Sequence, residues 1–205
     1  AAGLKRLEIA SFVTPRRVPQ MADAEAMVAG FAAPPGVTSI GLVLNPKGAE
    51  RALATGVMEL GAVAVASDGF GLRNQGQTSE DSIAAASEIL AMARAAGRSA
   101  QVTISVAFGC PFDGRVDPDR VVAMVAQLAK AEPREIALAD TIGVAVPSQV
   151  RRLVQRCRAE AGSIPLRAHF HNTRNTGIAN AFAAYEAGVR TLDGSLAGIG
   201  GCPFA

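Results

Sequence analysis

Short apolar segments alternate with longer helix-like segments along the whole chain. The short segments are rich in valine and isoleucine, which is typical of strands buried in a parallel sheet. They predict seven strands, at 7–12, 38–44, 62–67, 101–107, 134–140, 166–171 and 190–195. The longer segments predict six helices, at 23–33, 48–59, 79–96, 117–131, 147–160 and 174–187.

The ends of several predicted helices carry capping signals. Thr78 with Asp81 is an acidic variant of a capping box, and Gly97 is placed to end the same helix. Asp117 followed by Pro118 reads as an N-cap with proline in the first helical position. These signals support the alternation of strands and helices independently of the apolar pattern.

Strand–helix–strand alternation predicts parallel βαβ units with right-handed crossovers. The predicted strands start about 30 residues apart, so eight units would need a chain close to the ~250 residues typical of a (β/α)8 barrel. We therefore predict an α/β TIM barrel that forms a single catalytic domain over 1–205 and lacks one strand at an end. A doubly wound open sheet is the alternative, but no Gly-x-Gly-x-x-Gly motif follows the first strand.

Charge and composition exclude several classes of partner. Twenty basic and 18 acidic residues give a net charge of +2, which predicts neither nucleic-acid nor anionic-membrane binding. No long apolar segment free of charges and breakers predicts a transmembrane helix. Three cysteines argue against a disulfide framework and favour a reducing compartment, so we expect the cytoplasm, or the mitochondrial matrix in a eukaryote.

Two histidines carry the strongest chemical signal. In a barrel, catalytic groups lie at the carboxyl ends of the strands, and His169 and His171 end the sixth predicted strand. Residues i and i+2 of a strand point to the same face, so both imidazoles can reach one metal ion. The alternative is a pair of hydrogen-bonded structural histidines.

Two carboxylates lie near the predicted active face. Asp140 ends the fifth strand, where a carboxylate serves either as a turn cap or as a ligand or base. Glu8 lies between Leu7 and Ile9 and points to the opposite face from both, into the barrel. A buried ionised carboxylate must be paired or associated with a metal, so an ion pair is the alternative for Glu8.

Three further positions are candidates on the same face. Cys202 lies in a glycine-rich loop after the last strand, where a thiol is either poised for chemistry or packed as a small buried residue, whereas Cys110 and Cys157 are predicted to be structural. Asn74 follows the third strand in a predicted loop. Arg16, after the first strand, could meet phosphates or be simply solvated.

With these residues identified, the sequence resembles the hydroxymethylglutaryl-CoA lyase family, metal-dependent lyases built on TIM barrels. The resemblance covers essentially the whole chain. The segments that carry it are 7–15 with 18–21, 109–112, 140–143, 169–173 and 198–205. The last segment, Gly-Ile-Gly-Gly-Cys-Pro-Phe-Ala, is highly specific to the family, whereas Asp-Thr-Ile-Gly and His-x-His also occur in related Claisen-type enzymes.

The resemblance implies roles residue by residue. It makes His169 and His171 ligands of a divalent metal, Mg²⁺ or Mn²⁺, and Cys202 the general acid. It makes Glu8 and Asp140 active-site carboxylates. It places Asn74 near the acyl-CoA substrate and implies a homodimer. The family's Arg-Asp pair on the first strand and its Asn ligand beyond the cysteine loop have no counterpart in this sequence, which is why we expect a partial barrel.

The implied reaction is retro-Claisen cleavage of a 3-hydroxyacyl-CoA, most simply 3-hydroxy-3-methylglutaryl-CoA to acetyl-CoA and acetoacetate, as in leucine degradation and ketone-body metabolism. Three alternatives stay open. The chain could be another acyl-CoA lyase or a Claisen-condensing synthase on the same barrel. It could be a metal-dependent hydrolase, for which His-x-His is also suited. It could also be an inactive fragment that serves in folding or assembly.

Overall fold

The computed structural model describes residues 3–198, which form seven strands, seven α-helices and two short 3-10 turns at Pro19–Met21 and Leu196–Gly198. The strands are Arg6–Ser11 (β1), Thr38–Val43 (β2), Glu59–Val65 (β3), Ser99–Ser105 (β4), Ile136–Asp140 (β5), Leu166–Phe170 (β6) and Thr191–Asp193 (β7). The helices are Ala24–Gly30 (α1), Pro46–Leu53 (α2), Asp68–Asn74 (α3), Ser79–Ala95 (α4), Pro118–Ala129 (α5), Pro147–Ala161 (α6) and Gly177–Glu186 (α7).

All seven strands are parallel and lie in sequential order from β1 to β7, as in a (β/α)8 barrel. The sheet curls strongly. The Arg6 side chain on β1 reaches Glu135, directly before β5, and the Arg167 side chain on β6 reaches Thr103 on β4. The predicted TIM-barrel class and all seven predicted strands are thus confirmed.

The apolar core lies between the outer face of the sheet and the helices. Strand β3 is buried at all seven positions and β5 at all five, which explains their nearly continuous apolar sequence. Each fully buried large aliphatic or aromatic side chain contributes roughly 1.5–3 kcal/mol relative to exposure. The largest of them are Phe12, Phe70, Leu60, Ile89, Ile104 and Leu128.

A network of charged side chains, the lumen network, fills the inner face of the curled sheet. Arg6 donates hydrogen bonds to Glu59, Glu135 and Gln101, with 2.6 Å to Glu135 Oε1 and 3.0 Å to Gln101 Oε1. Glu59 is fully buried, and Glu135 is nearly so. Arg167 approaches the same Glu135 oxygen at 3.1 Å. Charges this deep need partners, because an unpaired buried charge costs several kcal/mol.

Most boundaries shift by a few residues from the sequence prediction, and two of the shifts have a clear physical cause. Helix α2 covers Pro46–Leu53 instead of 48–59, because the Asn45 side chain caps Gly48 N at 2.9 Å and Pro46 opens the first turn. Strand β3 begins at Glu59 instead of residue 62. The sequence prediction places Glu59 at the solvated end of a helix. In the structure, its ion pair with Arg6 holds it inside the sheet.

Helix α3 replaces the loop predicted after the third strand. Ser67 Oγ accepts the backbone N–H of Phe70 at 3.4 Å, and the Phe70 side chain is buried. Gly71 is required by close packing: a Cβ here would lie 2.4 Å from the Gln77 carbonyl oxygen. Gly69 and Gly71, which favour a loop in the sequence, therefore belong to a tightly packed helix.

Among residues 3–198, no helix combines the length and the apolar character needed to cross a membrane.

Candidate active site

The two histidines meet at the carboxyl end of β6. Their ring centroids are 5.0 Å apart and the rings are nearly perpendicular, at 76°. His169 is a strand residue and His171 follows the strand directly, so alternation along the backbone brings both rings to one face. This is the arrangement that the sequence predicts; their role as metal ligands stays a prediction.

Asp193 orients His169, and the sequence analysis missed it. The two residues are register partners on β6 and β7, and His169 Nδ1 lies 2.9 Å from Asp193 Oδ2. Burial opposes the charged imidazole, but the hydrogen bond and the negative charge of Asp193 outweigh it and raise the pKa of His169. The sequence did contain a signal: Asp193 is a charged residue inside the predicted seventh strand, where a carboxylate needs a partner.

Arg167 holds the Asp193 side chain in place through a hydrogen bond. One guanidinium nitrogen donates to Asp193 Oδ1, and the other donates to Thr103 Oγ1 at 2.9 Å. Burial raises the pKa of Asp193, but its contacts with His169 and Arg167 outweigh that effect and lower the pKa overall. The carboxylate therefore stays ionised between an arginine and a histidine.

Glu8 faces the same space from β1. Its side chain forms no hydrogen bond and no ion pair with any residue between 3 and 198, so the ion pair considered from the sequence is absent from that part of the chain. The protein around it raises the pKa of Glu8 by desolvation, although the positive charge of Arg167 acts in the opposite direction. A carboxylate with a raised pKa and no ion-pair partner among the described residues is suited to accept a proton.

His169 and His171 offer two nitrogen donors of a kind that divalent metal ions bind. Because His169 Nδ1 is engaged by Asp193, its Nε2 is the nitrogen left for a ligand. Desolvation and the neighbouring His169 lower the pKa of His171, which favours the neutral imidazole that metals bind. Within residues 3–198, no three His, Cys, Asp or Glu side chains form a metal cluster, so these residues alone do not complete a coordination shell.

Asp140 caps a turn, which is one of the two roles that the sequence suggests for it. Its side chain is fully buried, and its two oxygens accept the backbone N–H groups of Val144 at 2.9 Å and Ala145 at 3.0 Å. Desolvation raises the pKa of Asp140, and the backbone donors partly offset this. Its catalytic role stays a prediction.

The rest of the Asp-Thr-Ile-Gly segment joins neighbouring loops. Thr141 Oγ1 accepts the backbone N–H of Val106 at 2.8 Å. Gly143 has φ +66°, and a Cβ there would lie 2.8 Å from Thr173 Cβ and 3.0 Å from the His171 carbonyl oxygen. The segment therefore sets the position of the loop that follows β6 and carries His171.

The comparison with known proteins decides the family. The HMGL-like family model matches residues 1–202. The chain belongs to the HMGL-like family. The resemblance found from sequence motifs is therefore confirmed.

Curated relatives of this HMGL-like chain are carbon–carbon lyases, so the predicted enzyme class is confirmed. It is 42% identical to the (R)-citramalyl-CoA lyase of Chloroflexus aurantiacus, over 100% of this chain and 68% of that protein. It is 40% identical to the 3-hydroxy-3-isohexenylglutaryl-CoA/hydroxymethylglutaryl-CoA lyase of Pseudomonas aeruginosa, again over 100% and 68%.

The fold of the HMGL-like chain also matches a solved lyase. The HMG-CoA lyase of Acinetobacter baumannii, solved in complex with coenzyme A and 3-methylmalate, superposes with a TM-score of 0.92 at 38% identity. The match covers 98% of this chain and 66% of that chain. The parallel strand order and the barrel curvature are therefore those of a lyase of this family.

The remaining predicted residues have different outcomes. Cys202 lies outside the described residues. Asn74 is the last residue of α3 instead of a loop residue, and its backbone carbonyl accepts a hydrogen bond from Arg17 Nη1 at 3.2 Å; its substrate role stays a prediction. Cys110 and Cys157 are buried, as a structural role requires, and burial raises the pKa of the Cys157 thiol to about 12.

Proposed function

We propose that this protein cleaves 3-hydroxy-3-methylglutaryl-CoA to acetyl-CoA and acetoacetate. The observation that carries the proposal is that His169 and His171 lie together at the carboxyl end of a curled parallel sheet, in a chain of the HMGL-like family. Glu8 interacts electrostatically with His169 and has no ion-pair partner among residues 3–198. Acyl-CoA is the substrate class named for the curated relatives. Hydrolysis, which would also use two histidines, has no support among these relatives.

His169 and His171 would hold a Mg²⁺ or Mn²⁺ ion through ring nitrogens. When bound, such an ion lowers the pKa of a substrate hydroxyl and polarises a neighbouring oxygen. Oxygen-rich substrates suit both cations, since hard divalent ions prefer oxygen ligands. Asp193 holds His169 in the orientation that this requires.

Glu8 is the group that would accept the substrate's 3-hydroxyl proton. As the O–H bond breaks, its electron pair forms the carbonyl group of acetoacetate. The C2–C3 bond breaks, and its electrons remain on the acetyl-CoA fragment as an enolate. The raised pKa of Glu8, which follows from desolvation, makes it a stronger base than a solvated glutamate.

Cys202 would donate its thiol proton to the enolate carbon, which completes acetyl-CoA. The overall reaction neither gains nor loses a proton once the proton on Glu8 returns to the thiolate. A positioned acid of this kind contributes roughly 10²–10⁴-fold to the rate.

The decisive experiment is a coupled assay for acetyl-CoA release from 3-hydroxy-3-methylglutaryl-CoA in the presence of Mg²⁺ or Mn²⁺. We expect turnover that chelation removes and metal restores. Cys202→Ala is expected to keep metal affinity and lose most turnover, while Cys157→Ala, a matched change at a structural cysteine, keeps turnover. Thioester hydrolysis without C–C cleavage, or full turnover of Cys202→Ala, would overturn the proposal.

A second substrate is favoured by one specific observation. The relative at 42% identity is named for (R)-citramalyl-CoA. The same assay run side by side with (R)-citramalyl-CoA separates the two, since the larger kcat/KM identifies the physiological acyl group. The homodimer expected from the family resemblance stays a prediction that light scattering on the purified chain will check.

A further inference from the structure

Arg167 is a buried arginine on the same strand face as both candidate metal ligands. Residues 167, 169 and 171 alternate with residues that point outward, so the three side chains form one column along the inner face of the barrel. Arg167 is only 8% exposed. An arginine this deep needs charged or polar partners, because burial removes its charge from water.

Those partners come from three different parts of the sheet. The two terminal nitrogens donate to Asp193 Oδ1 on β7 and to Thr103 Oγ1 on β4, and Nε lies 3.1 Å from Glu135 Oε1. A guanidinium is planar and rigid, so three contacts in different directions fix its position. One oxygen of Asp193 is thereby fixed, and the other is directed at His169 Nδ1, 2.9 Å away.

Neutralising Glu135 does not by itself require Arg167. Arg6 already donates to Glu135 Oε1 at 2.6 Å and also pairs with Glu59. Asp193, in contrast, has Arg167 as its only arginine or lysine partner among residues 3–198. The specific consequence of Arg167 is thus the position and charge of Asp193.

A neutral imidazole carries one proton on either ring nitrogen, and the partner of one nitrogen decides the state of the other. An ionised Asp193 accepts from Nδ1–H and leaves the Nε2 lone pair free. We infer that Arg167 is a positioning residue that holds His169 in the Nδ1–H tautomer and so presents Nε2 to a divalent cation. The part of this inference that concerns cation binding rests on the proposed function, whereas the part that concerns the His169 tautomer does not.

The test uses two measurements that need no substrate. Long-range ¹H–¹⁵N spectra of the metal-free protein report the tautomer of His169, and calorimetry reports the Kd for Mn²⁺. In Arg167→Met, we expect mixed tautomers and a Kd raised about 10–100-fold, the usual effect of losing a residue that orients a ligand. Arg167→Lys, which can keep one contact to Asp193, is expected to lie between Arg167→Met and the wild type.

Arg6→Met is the matched control. It removes an arginine from the lumen network that touches Glu59 and Glu135 but not Asp193. We expect the Nδ1–H tautomer and the wild-type Mn²⁺ Kd for its folded fraction. An equal loss in Arg6→Met and Arg167→Met would show a merely structural role and overturn the inference.

A second variant keeps the test decisive if Arg167→Met does not fold. Asp193→Asn has nearly the same shape and can present an amide N–H to His169 Nδ1, so we expect the opposite tautomer, with the proton on Nε2, and weakened Mn²⁺ binding. An unchanged tautomer in Asp193→Asn would overturn the inference. Loss of acetyl-CoA release alone, with tautomers as expected, would overturn the proposed function and leave this inference standing.

Discussion

The turn cap formed by Asp140 yields a prediction that separates its structural from its catalytic interpretation. Asp140→Ala removes two acceptors from the backbone N–H groups of Val144 and Ala145. The Asp140 side chain is fully buried and Ala145 is 1% exposed, so little water can replace the lost carboxylate. The Ala145 donor is therefore left unsatisfied inside the protein, whereas the Val144 donor is left at a half-buried position.

The cost follows from these contacts. Leaving one buried donor without a partner costs about 1–3 kcal/mol, so we expect at least that loss for the Ala145 donor in Asp140→Ala and a smaller addition from the half-buried Val144 donor. Asp140→Asn keeps one carbonyl oxygen but turns an NH₂ group toward the other backbone donor, so we expect about half that loss. The turn also contacts the site, because the Asp140 carbonyl oxygen accepts the His171 N–H at 3.3 Å.

Urea unfolding followed by circular dichroism measures these differences. Asp119→Asn is the control: its side chain is 75% exposed and pairs with Arg156 on the surface, so we expect a loss below about 1 kcal/mol. Asp140→Ala with wild-type stability would refute the cap. Asp140→Asn with wild-type stability and no turnover would instead support a catalytic carboxylate.

Three other regions give checkable outcomes. Gly143→Ala combines a positive φ with a contact of 3.0 Å to the His171 carbonyl oxygen, so we expect a lower urea midpoint and weaker Mn²⁺ binding. Thr78→Ala should cost about 1 kcal/mol of unfolding free energy. Hydrogen bonds from Thr78 lower the pKa of Asp81. The stability that these bonds add is therefore lost as the pH falls and Asp81 is protonated, and urea unfolding of Asp81→Asn should not show this pH dependence. Cys157 should resist alkylation at pH 8 until the protein is denatured.

Much of the fold was predictable because its signals are local. A buried parallel strand needs a short apolar run, and all seven runs form strands. The capping box at Thr78 and the proline at position 118 open helices where the sequence places them. The shared face of His169 and His171 follows from the twofold repeat of a strand.

The parts that escaped prediction depend on distant partners. Arg167 and Asp193 are 26 residues apart, and Arg6 and Glu135 are 129 apart. A charged residue inside a strand shows that a partner is needed, but the local pattern does not identify it. Helix α3 was missed for a related reason, since Gly71 serves close packing against Gln77 instead of chain flexibility.

The lumen network constrains how this barrel can change. Glu59, Glu135 and Arg167 are nearly closed off from water, and Arg6 joins the first two. Glu135 is shared by Arg6 and Arg167, so losing one arginine removes one of its two partners and leaves the other in place. Breaking a buried pair costs up to about 3–5 kcal/mol, whereas replacing a whole set by well-packed apolar residues is often neutral or favourable. We therefore expect combined apolar replacement of the whole lumen network to be tolerated better than removal of a single member.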